Sequence, residues 1–159
     1  MDNPAWIAIA VFAGLNVIAA SSGSLFRPGA WYANLNKPSW TPPNLAFPIV
    51  WGFLFAMNAV AGWLVWETVG MQSPLAFGLY IVSLGLNAGW SFLFFGRRRM
   101  DLALVDVTLL WLSLVVIIAV FWGLRPFAAL LLIPYIAWVT IASLLNLRML
   151  QMNPKAQRV

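Results

Sequence analysis

Four tryptophans lie deep within long apolar segments, away from any polar boundary. Counted at about 1.5 Å per residue from the basic ends of those segments, Trp51 and Trp90 lie roughly 9 Å deep, and Trp111 and Trp138 roughly 15 Å deep. An indole ring offers a broad apolar face that stacks on other aromatic rings. The depths therefore predict an aromatic binding site, with ligand contact favoured over packing for Trp51 and Trp138.

Polar residues occur at the same depths. Asn87 and Ser91 are one helical turn apart, while Tyr135, Trp138 and Ala142 follow i, i+3, i+7 spacing. Each group therefore lies on one side of its helix, and the two groups are expected to share a cavity. The alternative is that Asn87 and Ser91 only join neighbouring helices through hydrogen bonds.

Asp106 lies about five residues inside an apolar segment. A carboxylate within a membrane is costly, so it usually faces a partner or a wet cavity. We therefore include Asp106 among the candidate binding residues. The alternative is an ion pair with one of the nearby arginines Arg97, Arg98 and Arg99.

Conventional catalysis has little support in this composition. The 159 residues include no histidine and no cysteine, which removes the usual general base, thiol chemistry and the commonest metal ligands. The sequence also contains no Ser-His-Asp set and no phosphate-binding glycine loop. We expect no metal site and no required cofactor, and the catalytic residues stay unknown.

The elements that position these residues are membrane spans. Hydrophobic residues make up 63% of the chain, charged residues 8%, and mean hydropathy is +0.88, whereas soluble proteins are roughly one quarter charged. A bilayer core needs about 20 apolar residues per helix. The sequence predicts an all-α integral membrane protein, a bundle of five transmembrane helices in a single domain covering residues 1–159. The predicted spans are about 5–25, 45–66, 74–95, 102–123 and 126–148.

The first span is expected to be retained rather than cleaved, because Asp2 precedes it and Arg27 follows it without a small-residue cleavage site. The connection at about 26–44 is long enough to be structured. Its prolines at 28, 38, 42 and 43 restrict the backbone.

The basic residues lie almost entirely on one side of the predicted bundle. That side carries Arg27, Lys37, Arg97, Arg98, Arg99, Arg148, Lys155 and Arg158, and the other carries Arg125. The positive-inside rule places the N-terminus outside and the C-terminus in the cytoplasm. The net charge of +5 then reflects anchoring to anionic lipid. Nucleic-acid binding is the competing interpretation of this charge and is not expected.

Several motifs give the chain a family resemblance. WYANLNKPSWTPP is followed by FPIVW, the third span contains LNAGWSFLFFG, and the fifth contains PYIAW with LN downstream. With the tryptophan-rich composition, these motifs resemble the translocator protein family, also called the tryptophan-rich sensory protein or peripheral benzodiazepine receptor family. The resemblance covers about residues 5–148.

The resemblance implies a receptor that binds porphyrins such as protoporphyrin IX in a pocket beneath the first cytoplasmic loop. Eukaryotic members also bind sterols and benzodiazepine-type ligands. The family's pocket residues correspond to Tyr32, Trp51, Asn87, Ser91, Asp106, Tyr135, Trp138 and Ala142. Trp31 and Tyr32 are then expected to lie over the cavity.

Alternative activities follow from the same resemblance. Some bacterial members are associated with light-dependent degradation of protoporphyrin, for which Trp51 and Trp138 would be the candidate reaction partners. Transport of porphyrin or sterol is a further alternative. Sterol binding is the weaker expectation, because Leu147 stands where the animal cholesterol motif has a tyrosine.

Two small residues suggest how the protein assembles. Gly85 and Gly89 form a small-xxx-small pair, which permits close helix approach. The resemblance implies a homodimer through this helix, and packing within one chain is the alternative. It further implies an integral membrane protein. The charge asymmetry favours the bacterial plasma membrane, and the mitochondrial outer membrane, whose family members share the topology, is the alternative.

Overall fold

The computed structural model describes residues 5–156, and this part of the chain consists of helices and short connections without a strand. The helices are α1 (Ala5–Leu25), α2 (Ala30–Ala33), α3 (Ala46–Val69), α4 (Pro74–Ser91), α5 (Met100–Leu124), α6 (Pro126–Leu131) and α7 (Ile133–Met152). A 3₁₀ turn at Gly70–Gln72 follows α3, and a π-helical turn at Phe92–Gly96 follows α4. Five segments are long and apolar enough to cross a membrane, which confirms the predicted bundle.

The spans cross in alternating directions and pack chiefly as α4 on α5, α1 on α3 and α5 on α7. We call the end of the bundle that carries Arg27, Arg97, Arg98, Arg99 and Arg148 the basic end. Arg158, which the sequence assigns to the same side, lies outside the described residues.

A buried polar network ties three spans together in the middle of the bundle. Asn58 Nδ2 donates to Asn16 Oδ1 at 2.9 Å, and Asn16 Nδ2 donates to Tyr80 Oη. The Tyr80 hydroxyl donates in turn to the carbonyl oxygen of Asn58 at 3.1 Å. Because hydrocarbon offers no alternative partners, these bonds fix α1, α3 and α4 relative to one another.

Several helix ends fall outside the predicted spans. The third helix α3 extends to Val69, α5 begins at Met100, and α7 continues to Met152. A helix can continue beyond the hydrocarbon layer, because its hydrogen bonds also form in water. A span predicted from hydropathy ends where the apolar residues end. The predicted span at 126–148 is interrupted at Leu132, two residues before Pro134, which lacks a backbone N–H to donate.

The end of α4 departs from regular helix. Arg97 N donates to the carbonyl oxygen of Phe92 at 2.8 Å, an i to i+5 bond that widens the last turn. The glycine at 96 allows a close approach, because a Cβ there would lie 2.9 Å from Phe26 Cδ1. Arg98 then takes a left-handed backbone conformation, φ 55°, as the chain turns into α5.

The connection between α1 and α3 contains the short helix α2. Asn36 N donates to Asn153 Oδ1 at 2.9 Å, and Asn153 Nδ2 donates back to the Asn36 carbonyl oxygen at 2.8 Å. Trp31 Nε1 also donates to the carbonyl oxygen of Ala156 at 3.2 Å. The segment after α7 therefore holds this connection against the basic end.

Candidate ligand-binding site

A cavity of about 550 Å³ occupies the half of the bundle nearest the basic end. Its wall comes from the C-terminal turns of α1 and α4, the N-terminal half of α3, the connection that contains α2, and single turns of α5 and α7. The lining residues that carry the argument below are Ser22, Arg27, Tyr32, Phe47, Trp51, Phe55, Asn87, Trp90, Ser91, Phe95 and Ala142. The volume is in the range of about 300–1,000 Å³ typical of small-molecule sites.

Five of the residues predicted for the site line this cavity together. They are Tyr32, Trp51, Asn87, Ser91 and Ala142, which come from four different elements. The structure places these residues on the wall of one cavity, whereas their spacing in the sequence could not establish this.

Tyr135 lies behind this wall rather than in it. Its hydroxyl accepts a hydrogen bond from Asn87 Nδ2 at 2.8 Å, and its ring meets Trp51 edge-on with centroids 5.9 Å apart. Tyr135 is 1% exposed, so both contacts are buried. Tyr135 therefore positions two lining side chains.

Trp138 and Trp31 also lie outside the lining. Trp138 packs edge-on against Phe47, with centroids 5.8 Å apart, and its buried Nε1 has no partner among the described residues. Trp31 meets Phe94 at 5.9 Å and is held by its bond to Ala156. Trp138 therefore lies behind the lining residue Phe47, whereas Phe94 is not itself on the wall. Of the adjacent residues Trp31 and Tyr32, Tyr32 reaches the cavity.

Asp106 faces α4 rather than the cavity. A Cβ placed on Gly89 would lie 3.0 Å from Asp106 Oδ1, and the buried Oδ2 has no hydrogen-bond partner within residues 5–156. Within the described residues Asp106 forms no ion pair with Arg97, Arg98 or Arg99. Arg99 instead binds Asp101 through two hydrogen bonds of 2.8 and 2.6 Å.

The two glycines of the predicted dimer face differ in their surroundings. Gly85 is exposed, and a Cβ there would have no heavy atom within 4 Å. Gly89 is half-buried against Asp106 of the same chain. Gly85 is therefore available for contact with another molecule, while the close approach at Gly89 is used within the bundle.

A cluster of aromatic rings lies at the basic end, where Tyr32, Trp90 and Phe95 line the cavity. Trp90 stacks on Phe94 with centroids 5.0 Å apart, and Phe95 meets both Trp90 and Tyr32 edge-on, at 5.8 and 5.4 Å. We call Tyr32, Trp90, Phe94 and Phe95 the aromatic roof. Burial raises the pKa of Tyr32, so its phenol stays neutral at physiological pH.

An asparagine that the sequence reasoning did not select supports this roof. Asn146 Oδ1 accepts from Trp90 Nε1 at 3.1 Å, and Asn146 Nδ2 donates to the Met100 carbonyl oxygen at 2.8 Å. Asn146 is 1% exposed and joins α4, α5 and α7. In the sequence, only its position in the LN motif indicated that Asn146 could matter to the site.

Arg27 is the only charged residue among those that line the cavity in the described structure. It follows α1 at the exposed mouth, where its Nε donates to the Ser24 carbonyl oxygen at 3.0 Å. Lys37 instead lies over the Tyr32 ring, 4.5 Å from its centroid. Arg97 lies over the Phe92 ring, 5.5 Å from its centroid. Neither lines the cavity.

The architecture defines a small helical membrane protein with a ligand-sized cavity near the basic end of the bundle. The TspO/MBR family model matches residues 6–152, and the chain belongs to this family. It is therefore a membrane protein of the tryptophan-rich sensory and translocator protein class.

Bacterial and animal relatives match over most of their length. The tryptophan-rich protein TspO of Chlorobaculum tepidum is 40% identical over 157 residues, covering 96% of this chain and 99% of the relative. The tryptophan-rich sensory protein of Cereibacter sphaeroides is 35% identical, covering 95% and 94%. The human translocator protein is 36% identical, covering 90% and 88%.

Proposed function

We propose that this protein is a membrane receptor or sensor that binds a tetrapyrrole, protoporphyrin IX, in the cavity beneath the α1–α3 connection. The observation that carries the proposal is the enclosure of about 550 Å³ with the rings of Tyr32, Trp51 and Trp90 on its wall. A planar macrocycle is the kind of ligand that such rings recognise by stacking.

The polar residues of the wall are few and separated, as is usual for a site that orients an apolar ligand. Asn87 and Ser91 lie on α4, and Ser22 lies on α1. A porphyrin dissolved in lipid gains little from further apolar burial, so selectivity comes from stacking and polar contacts. Each aromatic pair contributes about 0.5–1.5 kcal/mol. A few such contacts support binding in the micromolar range at best.

The free-base porphyrin is the proposed form. Histidine and cysteine, which hold haem iron in many proteins, do not occur in the sequence. On the positive-inside rule the cavity faces the cytoplasm, and we place the protein in a bacterial plasma membrane.

Light-dependent degradation is the second candidate function, and the position of Trp51 favours it. A photoexcited porphyrin in the cavity would lie against Trp51, which is on the wall, whereas Trp138 is behind Phe47. Trp51 is therefore the residue to examine for oxidation after illumination. Product exceeding one equivalent per protein would favour this function over sensing.

The proposal is tested by titrating the purified protein with protoporphyrin IX in the dark, following tryptophan quenching and porphyrin absorbance. Trp51→Phe should weaken saturable one-site binding about two- to tenfold, since one stacking pair contributes about 0.5–1.5 kcal/mol. Trp122→Phe is the matched control, because Trp122 is 56% exposed and lies at the opposite end of α5. Equal non-saturating partition into all three proteins would overturn the proposal.

A further inference from the structure

The mouth of the cavity combines an apolar interior with one positive charge. Among the described lining residues Arg27 alone is charged, and no carboxylate accompanies it on the wall. Two other exposed lining residues of the same segment, Gly23 and Ser24, have small or no side chains. A ligand that fills this space meets its only formal countercharge at the mouth.

The hydrogen bonding of Arg27 leaves it able to bind an anion. Its Nε donates to the Ser24 carbonyl oxygen, and the terminal Nη groups make no hydrogen bond to any residue between 5 and 156. A guanidinium presents such groups in a planar fork that matches a carboxylate. The backbone bond also restrains the side chain beside the opening.

We infer that Arg27 determines specificity for a ligand that joins a flat apolar ring system to a carboxylate, with the ring in the cavity and the carboxylate at the mouth. The inference rests on the proposed function and deepens it. Other cations of the basic end are engaged elsewhere: Lys37 lies over Tyr32, Arg97 lies over Phe92, and Arg99 pairs with Asp101. The carboxylate would stay at the headgroup level, where its charge costs little.

The test compares protoporphyrin IX with its dimethyl ester, which has the same macrocycle and no carboxylate. Both are titrated into protein held in nanodiscs of zwitterionic phosphatidylcholine, so that no anionic lipid competes for Arg27. Arg27→Gln should weaken binding of the diacid about fivefold, the upper range for an exposed charge pair, and should leave binding of the ester unchanged. The preference of the wild type for the diacid should also shrink as salt is raised.

Two further variants separate charge from structure. Arg27→Lys should retain most of the preference for the diacid, since it keeps the positive charge. Arg148→Gln removes an exposed cation of the basic end that binds Gln151 and does not line the cavity, so it should change neither titration.

The possible results test the role of Arg27 and the binding of porphyrin separately. Equal binding of the diacid by wild type and Arg27→Gln, or equal weakening of diacid and ester, would overturn the role of Arg27 while leaving porphyrin binding in place. Failure of both porphyrins to bind the wild type saturably would overturn the proposed function itself.

Discussion

The contact between Asn153 and Asn36 predicts how firmly the α1–α3 connection is held over the cavity. The Asn153 amide exchanges two hydrogen bonds with the backbone of Asn36, at 2.9 and 2.8 Å, and donates a third to the Met149 carbonyl oxygen at 2.8 Å. Asn153→Ala removes all three. Because this end of the bundle is next to water, the released backbone groups can be solvated, and the net loss should be about 1–2 kcal/mol.

The loss should appear as local opening of the connection rather than unfolding of the bundle. A change of about 1–2 kcal/mol corresponds to about a five- to thirtyfold larger open population. Hydrogen–deuterium exchange of peptides covering residues 30–37 should accelerate by that factor, while exchange in α4 and α5 stays the same.

Gln151→Ala is the control for this experiment, because it removes the exposed bond from Arg148 at the same end of α7 without touching the connection. Unchanged exchange at 30–37 in Asn153→Ala would refute the reasoning. Equal acceleration throughout all the helices would show that Asn153 stabilises the whole bundle instead.

Two glycine substitutions test packing and assembly. Gly62→Ala should destabilise the bundle by about 1–3 kcal/mol in thermal unfolding, because its Cβ would lie 2.6 Å from Phe12 Cδ1. Gly14→Ala is the control, since a Cβ there has no heavy atom within 4 Å. Equal melting temperatures of the two variants would contradict this packing. Gly85→Leu should convert a dimer to a folded monomer if the exposed face of α4 forms the dimer contact, and an unchanged mass in detergent would count against that assembly. Gly89 is unsuitable for this test because it packs against its own chain.

The five spans could be predicted from sequence because each must supply enough apolar length to cross a bilayer. The aromatic roof could not be predicted from the sequence. It depends on the π-helical turn after Ser91, which rotates Phe94 and Phe95 relative to a regular helix. That turn accompanies a tertiary contact between Gly96 and Phe26, which no local pattern reveals.

The site residues on α7 show the limit of helical spacing as a guide. Successive residues advance about 100° around a helix, so Trp138 lies only about 40° from Ala142. Ala142 lines the cavity, and Trp138 does not. Spacing placed Tyr135, Trp138 and Ala142 on one broad side, but the direction of the cavity selects among them. Arg27 was visible in the sequence only as one cation among several, and the position of the mouth distinguishes it.

The central claim, that the ligand occupies this cavity, can be tested most directly with a thiol reporter, because the chain has no cysteine of its own. Ala142→Cys places a single thiol on the cavity wall, and Leu144→Cys places one on the 53% exposed face of the same helix. The rate of alkylation by a small membrane-permeant maleimide is measured in the dark with and without saturating protoporphyrin IX. We expect the porphyrin to slow alkylation at position 142 at least tenfold and to leave position 144 unaffected. Equal rates at position 142 with and without bound porphyrin would contradict the account.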